Sequence, residues 1–107
     1  MTMEQIDNKQ SMERVLRDAG EKPVAFSFIT YSCPYCKSLL SFLEKLCQEM
    51  PGVTFKIVNT KVSGDLMNEF GVTGVPHTFI YKNRVLCNQV IGANKDLLLK
   101  YLMEMSN

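Results

Sequence analysis

The stretch VAFSFITYSCPYCKSLLSFLEKLCQEM, residues 24–50, decides the fold. It opens with six almost continuously apolar residues, Val24 to Ile29, a run short enough for a strand and apolar enough to be covered on both faces, as strands of parallel sheets are. From Leu39 the period changes. Leu39, Leu40, Leu43, Leu46, Cys47 and Met50 fall on one face of a helix that Pro51-Gly52 breaks. Cys33 and Cys36 therefore stand where a strand hands over to a helix.

Working outward, Met12, Val15, Leu16 and Ala19 recur at helical spacing before the strand. Asp7 and Gln10 stand at capping-box spacing there, and Gly20 supplies the stop. After the break, Val53, Phe55 and Ile57 alternate as a second strand. A short helix follows, with Ser63 as its cap, Leu66, Met67 and Phe70 inward, and Gly71 at its end. His77–Tyr81 and Val85–Ile91 read as an antiparallel hairpin around the polar turn at Lys82, Asn83 and Arg84. Asn94 caps a last helix whose Leu97, Leu98, Tyr101, Leu102 and Met105 share a face. Strands and helices in this order predict an α/β domain with one mixed sheet and helices on both faces. Chemistry belongs at the carboxyl ends of its parallel strands, where the Cys33 turn falls.

The totals agree with one domain, residues 1–107, long enough to bury a core without metal or disulfides. Hydrophobic residues make up 46% and charged residues 21%, which excludes a disordered chain. Twelve basic against eleven acidic residues give a net charge of +1, too little for nucleic acid as a partner. No run approaches the roughly 18 apolar residues of a membrane helix, and the first residues lack a secretory pattern, so a cytoplasmic protein is expected. Four cysteines, at 33, 36, 47 and 87, then point to metal or redox chemistry rather than a disulfide scaffold.

Three readings of the Cys33/Cys36 pair compete. A structural zinc site wants four ligands, and this chain offers one CxxC and a single histidine, His77, so no metal is expected. Simple core packing is the second reading, because cysteine is often buried. Redox chemistry is the third, and the turn favours it. At a helix cap the free backbone N–H groups and the positive end of the dipole face the Cys33 sulfur. Pro34 suits the first turn, where its missing N–H costs nothing, and Cys36 lies one turn on, within disulfide reach. Lowering a thiol pKa from about 8.5 to about 7 raises the thiolate fraction roughly sixteenfold, but lost nucleophilicity cancels about fivefold of that. The larger consequence is a better leaving group. Orientation of the target disulfide must supply much of the remaining rate.

Strand, CxxC at a helix start, strand, helix, Val75-Pro76, hairpin and helix together resemble the thioredoxin fold, a three-layer sandwich with a central mixed β-sheet flanked by helices. The resemblance implies that Cys33 attacks, that Cys36 resolves the mixed disulfide, and that Val75 and a cis Pro76 dock the substrate beside Pro34 and Tyr35. Within that fold the motif and the frame point to different branches. CPYC in YSCPYCK is similar to dithiol glutaredoxins, and IGANKD, residues 91–96, shares Gly92 and Asp96 with their GG-x-x-D element, although Ala93 replaces the second glycine. That likeness adds Gly92 to the binding residues and glutathione as a co-substrate. Two usual glutathione contacts are absent: Thr30 stands where those proteins have lysine, and Gly74 replaces the threonine of their TVP. The first helix, FGVTGVP and the long hairpin resemble thioredoxin instead. The chain departs from thioredoxin at the buried acid six residues before the nucleophile, where it has Ser27. A hydroxyl cannot take the Cys36 proton at neutral pH, so a pair more oxidising than a typical thioredoxin is expected.

Cys47 and Cys87 are expected in the core, His77 in a structural hydrogen bond, and Lys37 on the surface. The resulting expectation is a monomeric protein-disulfide reductase with no resident cofactor, served by a reductase or by glutathione. The alternatives are a glutathione-dependent glutaredoxin and a non-enzymatic module that binds or carries an iron–sulfur cluster.

Overall fold

The computed structural model describes residues 3–106. Its elements in chain order are β1 (Gln5–Ile6), α1 (Lys9–Ala19), β2 (Val24–Ile29), α2 (Pro34–Glu49), β3 (Thr54–Asn59), α3 (Gly64–Phe70), β4 (His77–Lys82), β5 (Val85–Ile91) and α4 (Lys95–Met105). The sheet runs β1-β3-β2-β4-β5, with β1, β3 and β2 parallel and the β4–β5 hairpin antiparallel.

Side-chain alternation along β2 builds two cores. Ala25 and Ile29 face one layer, with Cys36, Leu39, Leu43 and Leu46 of α2 and Leu98 and Leu102 of α4. Val24, Phe26 and Phe28 face the other, with Met12 and Val15 of α1 and Leu66 of α3. All six residues of β2 are buried, which is why its sequence shows no polar face. Each fully buried leucine contributes about 1.5–3 kcal/mol, so α2 is held chiefly by its apolar stripe rather than by helix propensity. In the second layer Phe28, Phe70 and Phe79 form a three-ring cluster with centroids 5.1–5.5 Å apart, fixing α3 against the sheet.

Capping follows local chemistry with one change of residue. Asn8, not the expected Asp7, caps α1 by accepting a hydrogen bond from the Ser11 N–H, and Gly20 ends the helix with φ 60°. Asn94 caps α4 through the Leu97 N–H. Ser63 occupies the cap position of α3 but makes no capping bond, and its buried hydroxyl has no partner.

The hairpin turn places Asn83 at φ 52° and Arg84 at φ 64°, as a two-residue type I′ turn requires. Arginine pays a steric cost in that region that glycine avoids. We expect Arg84→Gly to stabilise the fold by about 0.5 kcal/mol, the left-handed strain removed less the extra freedom of glycine in the unfolded chain. Urea denaturation checks this, and a lower midpoint would refute it.

Two parts of the chain differ from expectation. Gln5–Ile6 forms a two-residue edge strand, too short to show a pattern. On β5 the register slips: Ile80 pairs with Asn88 and Tyr81 with Leu86, leaving Cys87 without a cross-strand partner. Cys87 lies on the face of β5 that also carries the exposed Gln89 and Ile91, so it is exposed rather than in the core. Among the described residues no helix is long and apolar enough to cross a membrane.

Candidate active site

The loop after β2 is set by backbone hydrogen bonds. Thr60 ties the carboxyl end of β3 to that of β2, its N–H and hydroxyl both donating to the Ile29 carbonyl at 2.9 and 3.1 Å. The Cys33 N–H donates to Thr30 O at 3.3 Å, and Cys33 then takes an extended conformation, φ −87° and ψ 124°, as the N-cap of α2. Pro34 occupies the first helical position, and the Lys37 N–H closes the first turn on the Cys33 carbonyl at 3.0 Å.

The two thiols differ sharply. Cys33 is half-buried, whereas Cys36 is sealed in the α2 core at 0% exposure. Hydrogen bonding from the Cys36 backbone N–H lowers the Cys33 pKa most, against some desolvation, with the Cys36 thiol and the Tyr35 N–H adding to it. The sulfur makes no strict capping bond, so these groups act as the polar end of the helix facing it. Burial pushes the Cys36 thiol up to about 11; a Thr30 backbone hydrogen bond opposes this, and Cys33 reinforces it by hydrogen bonding and charge. One sulfur is thus prepared to ionise and its neighbour to keep its proton.

Across from the pair, the Val75–Pro76 peptide is cis. Val75 packs against both cores and shares the α2-side layer with Cys33. Gly92, at φ 82°, donates its N–H to the Pro76 carbonyl at 2.8 Å, which joins the end of β5 to the start of β4. Cys33, Cys36, Val75, Pro76 and Gly92 therefore gather at one end of the sheet. Pro34 and Tyr35 lie on its exposed rim, with Tyr35 71% exposed.

Sequence reasoning missed two rim residues. Tyr31 is 47% exposed and bonded to Gln5 Oε1 at 3.3 Å, and Ile91, 78% exposed, sits beside Gly92. An apolar residue ending an alternating strand carries the pattern of a core residue, so only the missing cover reveals Ile91.

The other candidates lie apart. His77 is buried, bonded through Nε2 to Gln89 Oε1 at 3.0 Å and stacked on Phe79 at 4.3 Å, a structural role. Cys47 is half-buried rather than fully in the core, lining a cleft of about 270 Å³ with Met3, Val53, Phe55 and Lys56. Among the described residues no three His, Cys, Asp or Glu side chains gather as a metal site.

An unequal thiol pair at the first turn of a helix, over a mixed sheet and beside a cis-proline loop, defines the class of thiol–disulfide oxidoreductases. The family model described as Thioredoxin matches residues 3–104. Thioredoxin F-type, chloroplastic, of Spinacia oleracea is 33% identical over 94 residues, 87% of this chain and 50% of that protein. Thioredoxin of Gallus gallus is 30% identical over 93 residues, 87% of this chain and 89% of that one. The crystal structure of thioredoxin F from spinach chloroplast, long form, superposes with a TM-score of 0.90 at 27% identity, covering 99% of this chain and 88% of that one. The chain thus spans half the length of the spinach relative and nearly all of the chicken one. It belongs to the thioredoxin family. The frame, not the CPYC motif, therefore gives the correct branch, and the glutaredoxin reading is not favoured.

Proposed function

We propose that this chain reduces disulfide bonds in protein partners, using Cys33 as nucleophile and Cys36 as resolving thiol. The observation that carries the reading is the asymmetry of the pair: a half-buried sulfur at the helix N-terminus whose pKa is lowered, one turn from a fully buried thiol whose pKa is raised. Cys33 attacks one sulfur of the target disulfide, forming a mixed disulfide and releasing the other sulfur as a thiolate. Cys36 then attacks Cys33, closing the Cys33–Cys36 bond and freeing the reduced target. The helix N-terminus stabilises Cys33 both as nucleophile and as leaving group.

Tyr31, Tyr35, Val75 and Ile91 supply apolar surface at this end of the sheet, suited to a polypeptide segment around the target disulfide. Backbone groups around Pro76 and Gly92 complete the docking edge. A pair that must be reduced after every turnover suits a reducing compartment, so the reading places the protein in the cytoplasm as a monomer without a resident cofactor. A reductase rather than glutathione is the donor.

Insulin reduction coupled to NADPH and thioredoxin reductase, run beside a glutathione-coupled assay, tests the donor. Turnover is expected in the first, and turnover in the glutathione assay alone would refute the reading. Ser27 also bears on the potential, because no carboxylate stands at that buried position. Equilibration with a glutathione buffer is expected to place the pair nearer about −200 to −230 mV than about −270 mV. A value at or below the latter would contradict this.

A further inference from the structure

The resolving step requires Cys36 to lose a proton, and among the described residues its layer buries no carboxylate, imidazole or amine to accept it. Ser27 lies on the face of β2 shared by Ala25 and Ile29, and Thr78 on the face of β4 shared by Ile80, so both point into the layer that holds Cys36. Their hydroxyls satisfy each other at 2.9 Å. The buried polar residues of the described chain are Ser27, Ser63, His77 and Thr78. His77 stacks on Phe79 of the opposite core, so no carboxylate, imidazole or amine is buried in the Cys36 layer.

The groups nearer the surface do not fill the gap. On α2, Lys37 is exposed and a cation, and from α4 Lys95 donates its Nζ hydrogen to Ser38 Oγ at 2.7 Å. Tyr31 and Tyr35 are exposed on the rim, and β3 contributes only Phe55 and Ile57 to this layer. In the reduced protein the thiolate nearest Cys36 along the helix is that of Cys33, at the cap one turn away. That thiolate is consumed as soon as Cys33 bonds to a substrate.

We propose that the first thiolate released from the substrate is the base that takes the proton from Cys36. The inference rests on the dithiol reading above and adds a substrate requirement to it. Cys33 thiolate attacks the substrate disulfide, whose S–S bond breaks and leaves its electron pair on the first substrate sulfur. That sulfur accepts the Cys36 proton and becomes a thiol. Cys36 thiolate then attacks Cys33 Sγ, the mixed disulfide breaks, and the second substrate sulfur leaves as a thiolate. One disulfide gains two electrons, the Cys33/Cys36 pair loses two, and total charge is unchanged. The favoured substrate therefore carries both sulfurs on one chain, so that the first thiolate stays beside the site. A disulfide between two separate small thiols loses its base by diffusion, and Cys36 must then give its proton to hydroxide.

Acid-quenched single-turnover reactions followed by mass spectrometry compare glutathione disulfide with a peptide closed by an internal disulfide, since their leaving thiols have similar pKa values. At pH 7 the glutathionyl mixed disulfide on Cys33 is expected to live at least about tenfold longer than the peptide one. Its lifetime should keep shortening about tenfold per pH unit from 7 to 10, whereas the peptide lifetime should level off above about pH 8.5, where the released thiol is already ionised. Equal pH dependence for the two substrates, or none for either, would overturn the inference while leaving the dithiol reading intact. Failure of both intermediates to resolve into a Cys33–Cys36 disulfide would overturn both. Ser27→Asp, which places a carboxylate in the Cys36 layer, should shorten the glutathionyl lifetime about tenfold at pH 7 and flatten its pH dependence. If that variant fails to fold, the comparison of substrates decides.

Discussion

Cys33→Ser is expected to reduce disulfide turnover by at least about a thousandfold. A serine hydroxyl at a helix terminus remains protonated at neutral pH, so the change removes the nucleophile rather than weakening it. Cys36 cannot take over. It is fully buried, and its thiol titrates only near 11. The fold should tolerate the substitution, since Cys33 is only half-buried and serine is a preferred N-cap residue. Insulin reduction and thermal melting on the same preparation separate loss of chemistry from loss of structure. Residual turnover above a few per cent of wild type would show that another cysteine carries the reaction.

Cys36→Ser has an equally large effect on turnover but leaves a different chemical trace. Cys33 retains the N–H groups of Tyr35 and residue 36, although it loses the neighbouring thiol. The first attack should therefore slow by no more than a few-fold, while turnover falls at least about a thousandfold because nothing in the protein displaces the captured target. The protein should accumulate as a covalent 1:1 mixed disulfide through Cys33. Serine at this buried position costs about 1–2 kcal/mol of stability, the penalty for a hydroxyl in an apolar layer. Mass spectrometry of the adduct formed in cell extract identifies the captured species. Protein adducts are expected; glutathione as the sole adduct would return the glutathione-dependent reading to favour.

The layers on both faces of the sheet were legible in the sequence because an unbroken apolar run in β2 and an apolar stripe at helical spacing in α2 follow each other within 27 contiguous residues, 24–50. Helix ends at Gly20, Gly71 and Asn94 were legible because their backbone conformations or side-chain bonds are local. The exceptions arise where distant chain decides. Gln5–Ile6 becomes a strand only because β3 offers an edge to pair with. Cys87 is exposed because the face of β5 it shares with Gln89 and Ile91 is left uncovered by the described residues, which an alternating pattern alone does not reveal. Ile91 is bare because the described residues leave it without cover.

The site was legible to a different degree. Placement of Cys33 at the cap and Cys36 one turn inward follows from the strand-to-helix boundary, but the contrast in their acidity depends on how tightly the α2 layer closes over Cys36. The CPYC motif, four residues long, pointed toward the glutathione-dependent branch. Chain-long features pointed the other way, and the match over residues 3–104 agrees with them. A short motif reports the local electronics of a thiol pair, whereas the branch depends on loops that contact the partner.

The most direct measurement is the pH dependence of alkylation at each cysteine, read by mass spectrometry on the reduced protein. Cys33 should react with a midpoint below the free-thiol value of about 8.5, while Cys36 stays unmodified until the solution approaches its midpoint near 11. A Cys33 midpoint at or above that of free cysteine, or similar profiles for the two thiols, would contradict the account.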